Sequence, residues 1–123
     1  MGAVSCTFQV GDEIVWDPSN TVARLFVGEA AAVASAFGLE SGIGEIIEDE
    51  CELDLPVLEA FVAGLVRRYH EATHPMLRSL TVGFIATVSV LVERAGGRLP
   101  SGEADQVAAW AQLRQEHARS MPR

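Results

Sequence analysis

The chain has 123 residues, of which 49% are hydrophobic and 21% charged. That is enough to bury a core without a disulfide or metal staple, and too apolar for a disordered tail. The net charge is −8 and all nine cations are Arg, with no Lys; a domain this acidic, lacking a basic stripe, is repelled by phosphate backbones, which argues against direct nucleic-acid binding.

In chain order, Met1-Gly2-Ala3-Val4-Ser5-Cys6 approaches a myristoylation signal, but Cys6 stands where Ser or Thr is required. No basic region followed by an apolar run marks a secretory leader. Cys6 and Cys51 match no zinc, haem or redox spacing. Both therefore read as reduced thiols of a cytoplasmic protein. Thr7–Val10 and Glu13–Trp16 are short β-prone runs around Gly11-Asp12 and predict a hairpin over 7–16. Asp17-Pro18-Ser19-Asn20 stops the second strand and offers Ser19 or Asn20 as a helix cap. The first helix is predicted over 21–37, with Val22, Phe26, Val33 and Phe37 on one stripe and Gly38 at its end.

Gly38, Gly42 and Gly44 predict irregular backbone over 38–46. The run 47–55 alternates acidic and apolar residues and reads equally as an edge strand or an acidic loop. Asp54 is placed to cap the second helix, over 55–73, with Pro56 in its first turn. Pro75 disfavours helical geometry at His74 and separates the third helix, 76–95. Between Ser79 and Val92 there is no charge, a run too short to span a bilayer, which predicts a buried helix. Gly96-Gly97 ends it, and a last helix is predicted over 102–119 with a weak inner stripe at Val107, Trp110, Ala111 and Ala118.

The expected fold is mainly α: a single domain over 1–123, a compact bundle of about four helices with a short N-terminal β-hairpin. The buried apolar third helix is wrapped by the other three, or covered in part by a second copy in a homodimer.

His70-Glu71-Ala72-Thr73-His74 matches H-E-x-x-H. In zinc hydrolases the two His, one helical turn apart, bind the metal, and the Glu is general base on the bound water. Glu93, nineteen residues after His74, has the spacing of the third ligand in thermolysin-like peptidases. Against this, Pro75 ends the helix at the second His, little sheet is available to align a peptide, and His and Glu are ordinary residues at a helix C-terminus.

The second candidate is the acidic run Glu45, Glu48, Asp49, Glu50, Glu52 and Asp54. It lacks the order of an EF-hand and reads as a solvated surface or, at Glu48, Asp49, Glu50 and Glu52, as a contact for a basic partner. Trp16 lines a pocket or anchors the core with its indole N–H on a carbonyl. No nucleophile elbow, P-loop or dinucleotide fingerprint is present.

Phe8-Gln9-Val10-Gly11-Asp12, Trp16-Asp17-Pro18-Ser19-Asn20, Ala23-Arg24-Leu25-Phe26, Asp49-Glu50-Cys51 and the block from Gly83-Phe84 to Glu93-Arg94-Ala95-Gly96 together resemble a family of small actinobacterial (Streptomyces-type) proteins known only as a domain of unknown function. The resemblance runs to about Gly97, leaves the last helix as a variable tail, and implies a bacterial cytoplasmic protein; it carries no activity, cofactor or catalytic residue. A composition without Lys and rich in Ala, Gly and Val agrees with a GC-rich bacterial genome.

The leading expectation is a non-enzymatic protein-interaction module of the immunity-protein or antitoxin kind, with no cofactor, no nucleic acid and no membrane, and another protein, basic in character, as partner. The first alternative is a small zinc hydrolase using His70, His74 and Glu93 with Glu71 as base. The second is a helical pocket beside Trp16 and the third helix that binds an apolar metabolite in a biosynthetic pathway.

Overall fold

A computed structural model describes residues 4–123; the first three residues of the lipidation-like start lie outside it. The elements are β1 (Thr7–Val10), β2 (Glu13–Trp16), α1 (Asn20–Phe37), β3 (Ile43–Ile47), β4 (Glu50–Leu53), α2 (Leu55–Glu71), α3 (Pro75–Arg94) and α4 (Ala104–Ala118). The mainly helical composition and the N-terminal hairpin agree with the sequence. The sheet, however, has four strands in the order β2-β1-β4-β3.

The helix starts follow from their caps. Ser19 Oγ accepts from the Val22 amide and Asp54 Oδ1 from the Val57 amide, each satisfying a donor with no partner inside its helix. Gly38, at φ +65°, closes α1 in the left-handed conformation.

The expectation of irregular backbone over 38–46 is corrected: β3 occupies its second half, and the 47–55 run resolves as the end of β3, a turn and β4. Two glycines that read as loop markers are points of close approach. A Cβ on Gly42 would lie 2.7 Å from the Leu58 amide nitrogen, and one on Gly44 would lie 2.9 Å from the Glu52 carbonyl oxygen. They allow a strand whose register shifts between Ile43 and Ile46 to sit against β4 and the start of α2. The connecting turn places Glu48 at φ +50° and Asp49 at φ +64°, the two-residue geometry that normally selects Asn-Gly.

Both hairpins are antiparallel, and β1 joins β4 in parallel with Phe8 opposite Cys51. From Phe8 a continuous aromatic path crosses the core. Its ring stacks on Trp16 (5.1 Å between centroids) and meets Phe26 of α1 edge-on at 5.5 Å. Phe26 in turn contacts Phe84 of α3 at 5.3 Å, which meets Phe61 of α2 at 6.1 Å.

Phe84, Ile85, Val88 and Leu91 are buried as the uncharged run predicts. The N-terminal half of α3 is not: Met76 is 54% and Leu80 68% exposed. By length and composition α3 is apolar enough to cross a membrane, but half of its most apolar stretch is buried inside the protein, the packing of a core helix. α2 and α4 lie along α3 closely, whereas α1 meets it over a shorter contact. A second copy covering the third helix would have to sit on Met76 and Leu80.

The C-terminal segment is built into the fold. Arg94 donates to the carbonyl oxygens of Val15 (2.9 Å) and Ala118 (3.2 Å), the Asp17 amide donates to the Pro122 carbonyl, and Met121 is buried.

Two outcomes are expected. Truncating Phe84 to Ala removes the ring at the centre of the aromatic path and costs about 3–5 kcal/mol in a denaturant titration; a loss under about 1 kcal/mol would place the centre of the core elsewhere. The double change Glu48→Asn, Asp49→Gly relieves two left-handed residues and raises stability by about 1 kcal/mol, and an unchanged midpoint would show that the turn is unstrained.

Candidate functional site

His70 and Glu71 end α2, and Ala72, Thr73 and His74 form an extended link because Pro75 starts α3. The two His therefore stand on different elements. His74 Nδ1 accepts from the Met76 amide (3.2 Å) and caps α3, while His70 Nε2 accepts from the Trp110 indole N–H (2.9 Å). Glu93 holds Arg114 Nε at 3.1 Å, and Glu71 is exposed. The expected set of His70, His74 and Glu93 is thus not brought together. Among the described residues no three His, Cys, Asp or Glu side chains converge on a point suited to a metal ion. The motif satisfies the spacing of a zinc helix without supplying the helix.

What His70 does line is a cleft between α2, the α3–α4 connection and the first turns of α4. Its outer part has a volume of about 710 Å³, with Arg67, Arg98, Glu59 and Glu71 on its walls. It leads into a narrower chamber of about 140 Å³ lined by Val66, Leu99, Val107, Trp110 and Arg114. The two share Val66, His70, Leu99, Pro100, Ser101 and Gln106. Trp110 is fixed by its bond to His70 and by an edge-on contact with Tyr69 at 5.0 Å. The Arg98 amide donates to the Glu59 carboxylate and so fixes the connection against α2. Sequence reasoning placed Trp110 on an inner stripe but passed over Arg114. The two are one helical turn apart on α4, and that spacing was the available signal.

The acidic residues are divided by the structure. Glu48 and Asp49 form the β3–β4 turn, and Glu50 and Glu52 project from the solvent side of β4. Glu52 is also structural: its carboxylate accepts from the Gly11 amide (2.8 Å) and from Gln9 Nε2 (3.1 Å), tying β4 to the first hairpin. The charge is partitioned along the chain. Residues 1–54 hold eleven carboxylates and one Arg, a net −10, whereas residues 55–123 hold six carboxylates and eight Arg, a net +2, which together give −8.

Trp16 is 4% exposed and packs edge-on against Phe26 at 5.2 Å. Its indole N–H has no acceptor among the described residues, so the expected carbonyl partner is not there. The ring also forms part of an open groove of about 470 Å³ between α1 and the end of α4, with Val22, Leu25 and Met121 on its walls.

The model of a family of unknown function, DUF6086, matches residues 4–123. The chain belongs to this family. The match continues through α4, so in this DUF6086 protein the last helix is not a tail beyond the resemblance, in keeping with the bonds that Arg94 makes to Ala118 at its end and Asp17 to Pro122 just after it. No curated protein and no solved structure matches the chain.

Cys6 and Cys51 are free and buried beneath the acidic strands. Cys51 donates through Sγ to the Gly44 carbonyl at 3.3 Å. Burial, with a smaller contribution from Cys6, pushes the Cys51 thiol up to about 12. Burial, then Asp49, Asp17 and Glu50, raises that of Cys6. Below the ordinary thiol value of about 8.5 both folded and unfolded chains keep their thiol protons, and stability is intact. Above it the unfolded chain releases protons that the native thiols retain, so stability falls as pH rises toward about 12. Denaturant titrations across this range should show a decline that is smaller in Cys51→Ala. Iodoacetamide at mildly alkaline pH should label neither thiol until the protein unfolds. Rapid labelling of the native protein would contradict their burial.

Proposed function

We propose that this protein is a non-enzymatic interaction module that presents the solvent face of its sheet, around Glu48, Asp49 and Glu50, to a basic partner protein. The observation that carries this reading is the charge partition: the segment that builds the sheet and α1 holds eleven of the seventeen carboxylates with Arg24 as its sole cation, whereas the rest of the chain is net positive. A surface of one sign steers an oppositely charged partner and accelerates encounter. The dispersal of His70, His74 and Glu93 removes the main support for a hydrolase. A cytoplasmic location belongs to the same reading, because two unpaired thiols suit a reducing compartment.

Binding of an oligo-arginine peptide tests the surface. Neutralising Glu48, Asp49 and Glu50 together should weaken it roughly fivefold and flatten its salt dependence. Neutralising Glu71, Glu103 and Asp105, equally many carboxylates on the helical part, should have less than about half that effect. Glu52 is left intact because it supports the hairpin. Equal losses from the two triples would mean that only net charge matters, and the proposed surface would be abandoned.

A further inference from the structure

The chamber at the inner end of the α2–α4 cleft combines an apolar wall with a guanidinium that has donors to spare. Val66, Leu99, Val107 and Trp110 supply the apolar wall. At about 140 Å³ it matches the cavity of about 150 Å³ that accommodates one benzene ring in an engineered protein core. Arg114 also lines it, with a side chain only 15% exposed. Its Nε is held by Glu93, and among the described residues neither terminal nitrogen has an acceptor. An Arg fork fixed at one nitrogen and open at the others is suited to a planar carboxylate, which accepts two parallel N–H bonds.

The surroundings carry charge of both signs. Gln106 and Val107 bring the first turn of α4, which has no side-chain cap, to the chamber wall, beside Ser101 and Gly102 of the preceding connection. The uncapped amides and dipole of that turn favour negative charge, against which Glu103 at the N-cap and Asp105 in the same turn weigh, so the preference for a carboxylate rests on Arg114. Arg67 and Arg98 line the mouth together with Glu59 and Glu71, and Glu59 is already engaged by the Arg98 amide. Trp110 presents a ring that cannot swing away, because His70 and Tyr69 hold it.

We propose that this chamber binds a small carboxylate with a compact apolar body, a single aromatic ring or a branched aliphatic chain. The apolar part lies against Trp110 and Val66, and the carboxylate sits on the open fork of Arg114. This site is separate from the acidic sheet face and stands or falls independently of it.

Benzoate, benzamide and benzamidine share size and shape and differ in charge, so they test the proposal in a titration followed by the indole N–H resonances. Benzoate should shift the Trp110 resonance with a Kd of about 1 mM or below and leave that of Trp16 in place. Benzamide should bind roughly tenfold more weakly, and benzamidine not at all. Arg114→Gln should abolish the preference for benzoate with the Trp110 resonance still dispersed, and Arg119→Gln should retain it. A Trp110 resonance unmoved by benzoate at about twenty times that concentration would overturn the proposal, as would equal binding of the three compounds. The comparison of the three in the unaltered protein decides the matter even if Arg114→Gln fails to fold.

Discussion

The parallel pairing of β1 with β4 sets the conditions for the rest of the structure. Gln9 and Glu52 are 43 residues apart in sequence and adjacent in the sheet. A parallel pair cannot be closed by a tight turn, so the intervening chain must leave the sheet and return. β2, α1 and β3 are that excursion. The return places Phe8 and Cys51 side by side on the buried face, where Phe8 can reach Trp16 and Phe26 at once. The Glu52 carboxylate serves the same closure from the solvent side, since it accepts from both Gln9 and Gly11.

Burial of α3 follows from where that aromatic path ends. Phe26 delivers α1 to Phe84, and Phe61 delivers α2 to the same ring, so the segment from Phe84 to Val92 is enclosed. Arg94 then stands at the point where α3, β2 and the end of α4 meet. Burial pushes its guanidinium down from its usual value, with Arg123 adding to the effect and Glu93 opposing it. Two carbonyl oxygens, from Val15 and Ala118, compensate the partly desolvated cation. The residues after α4 are held by the same junction, which gives a physical reason for the family match to extend to Arg123.

The helices were legible because their signals are local. Ser19, Asp54, Pro56 and Gly38 each act within one turn of the element they bound. The second hairpin was not, because its signals are tertiary. Gly42 and Gly44 are required by atoms of α2 and β4 that no local pattern reveals, and Glu48-Asp49 lacks the turn residues its geometry favours. The H-E-x-x-H motif was legible in the same local way as the helices: its residues fit, but Pro75, which the sequence already marks as a break at His74, ends the helix on which the chemistry depends. Arg114 escaped notice because α4 is weakly amphipathic and buries no residue fully, so the face that lines the cleft carries little hydrophobic signature.

An anion-accepting cleft on a protein of net charge −8 is electrostatically consistent only if the charge near the cleft differs from the total. At physiological ionic strength the Debye length is about 8 Å, so charges further from the cleft than that are largely screened. The comparison that matters is therefore within the cleft wall. There Arg67, Arg98 and Arg114 face Glu59, Glu71 and Glu93, the last paired with Arg114, so the formal charges cancel and the cleft lacks the net negative charge of the whole. On the sheet the same comparison gives a net negative charge, since no Arg lies between Arg24 and Arg67 to offset the carboxylates of β3, β4 and their turn. Screening thus lets one small chain present an acidic face and a cleft of balanced charge with little interference between them. Lowering the salt should couple the two, because a longer Debye length brings the sheet carboxylates within reach of an anion at the cleft. Carboxylate binding should then strengthen less on dilution of salt than an isolated Arg site would, and neutralising Glu48, Asp49 and Glu50 should restore part of the difference. If those three changes leave the salt dependence of benzoate binding untouched, the two surfaces are electrically independent at every ionic strength measured.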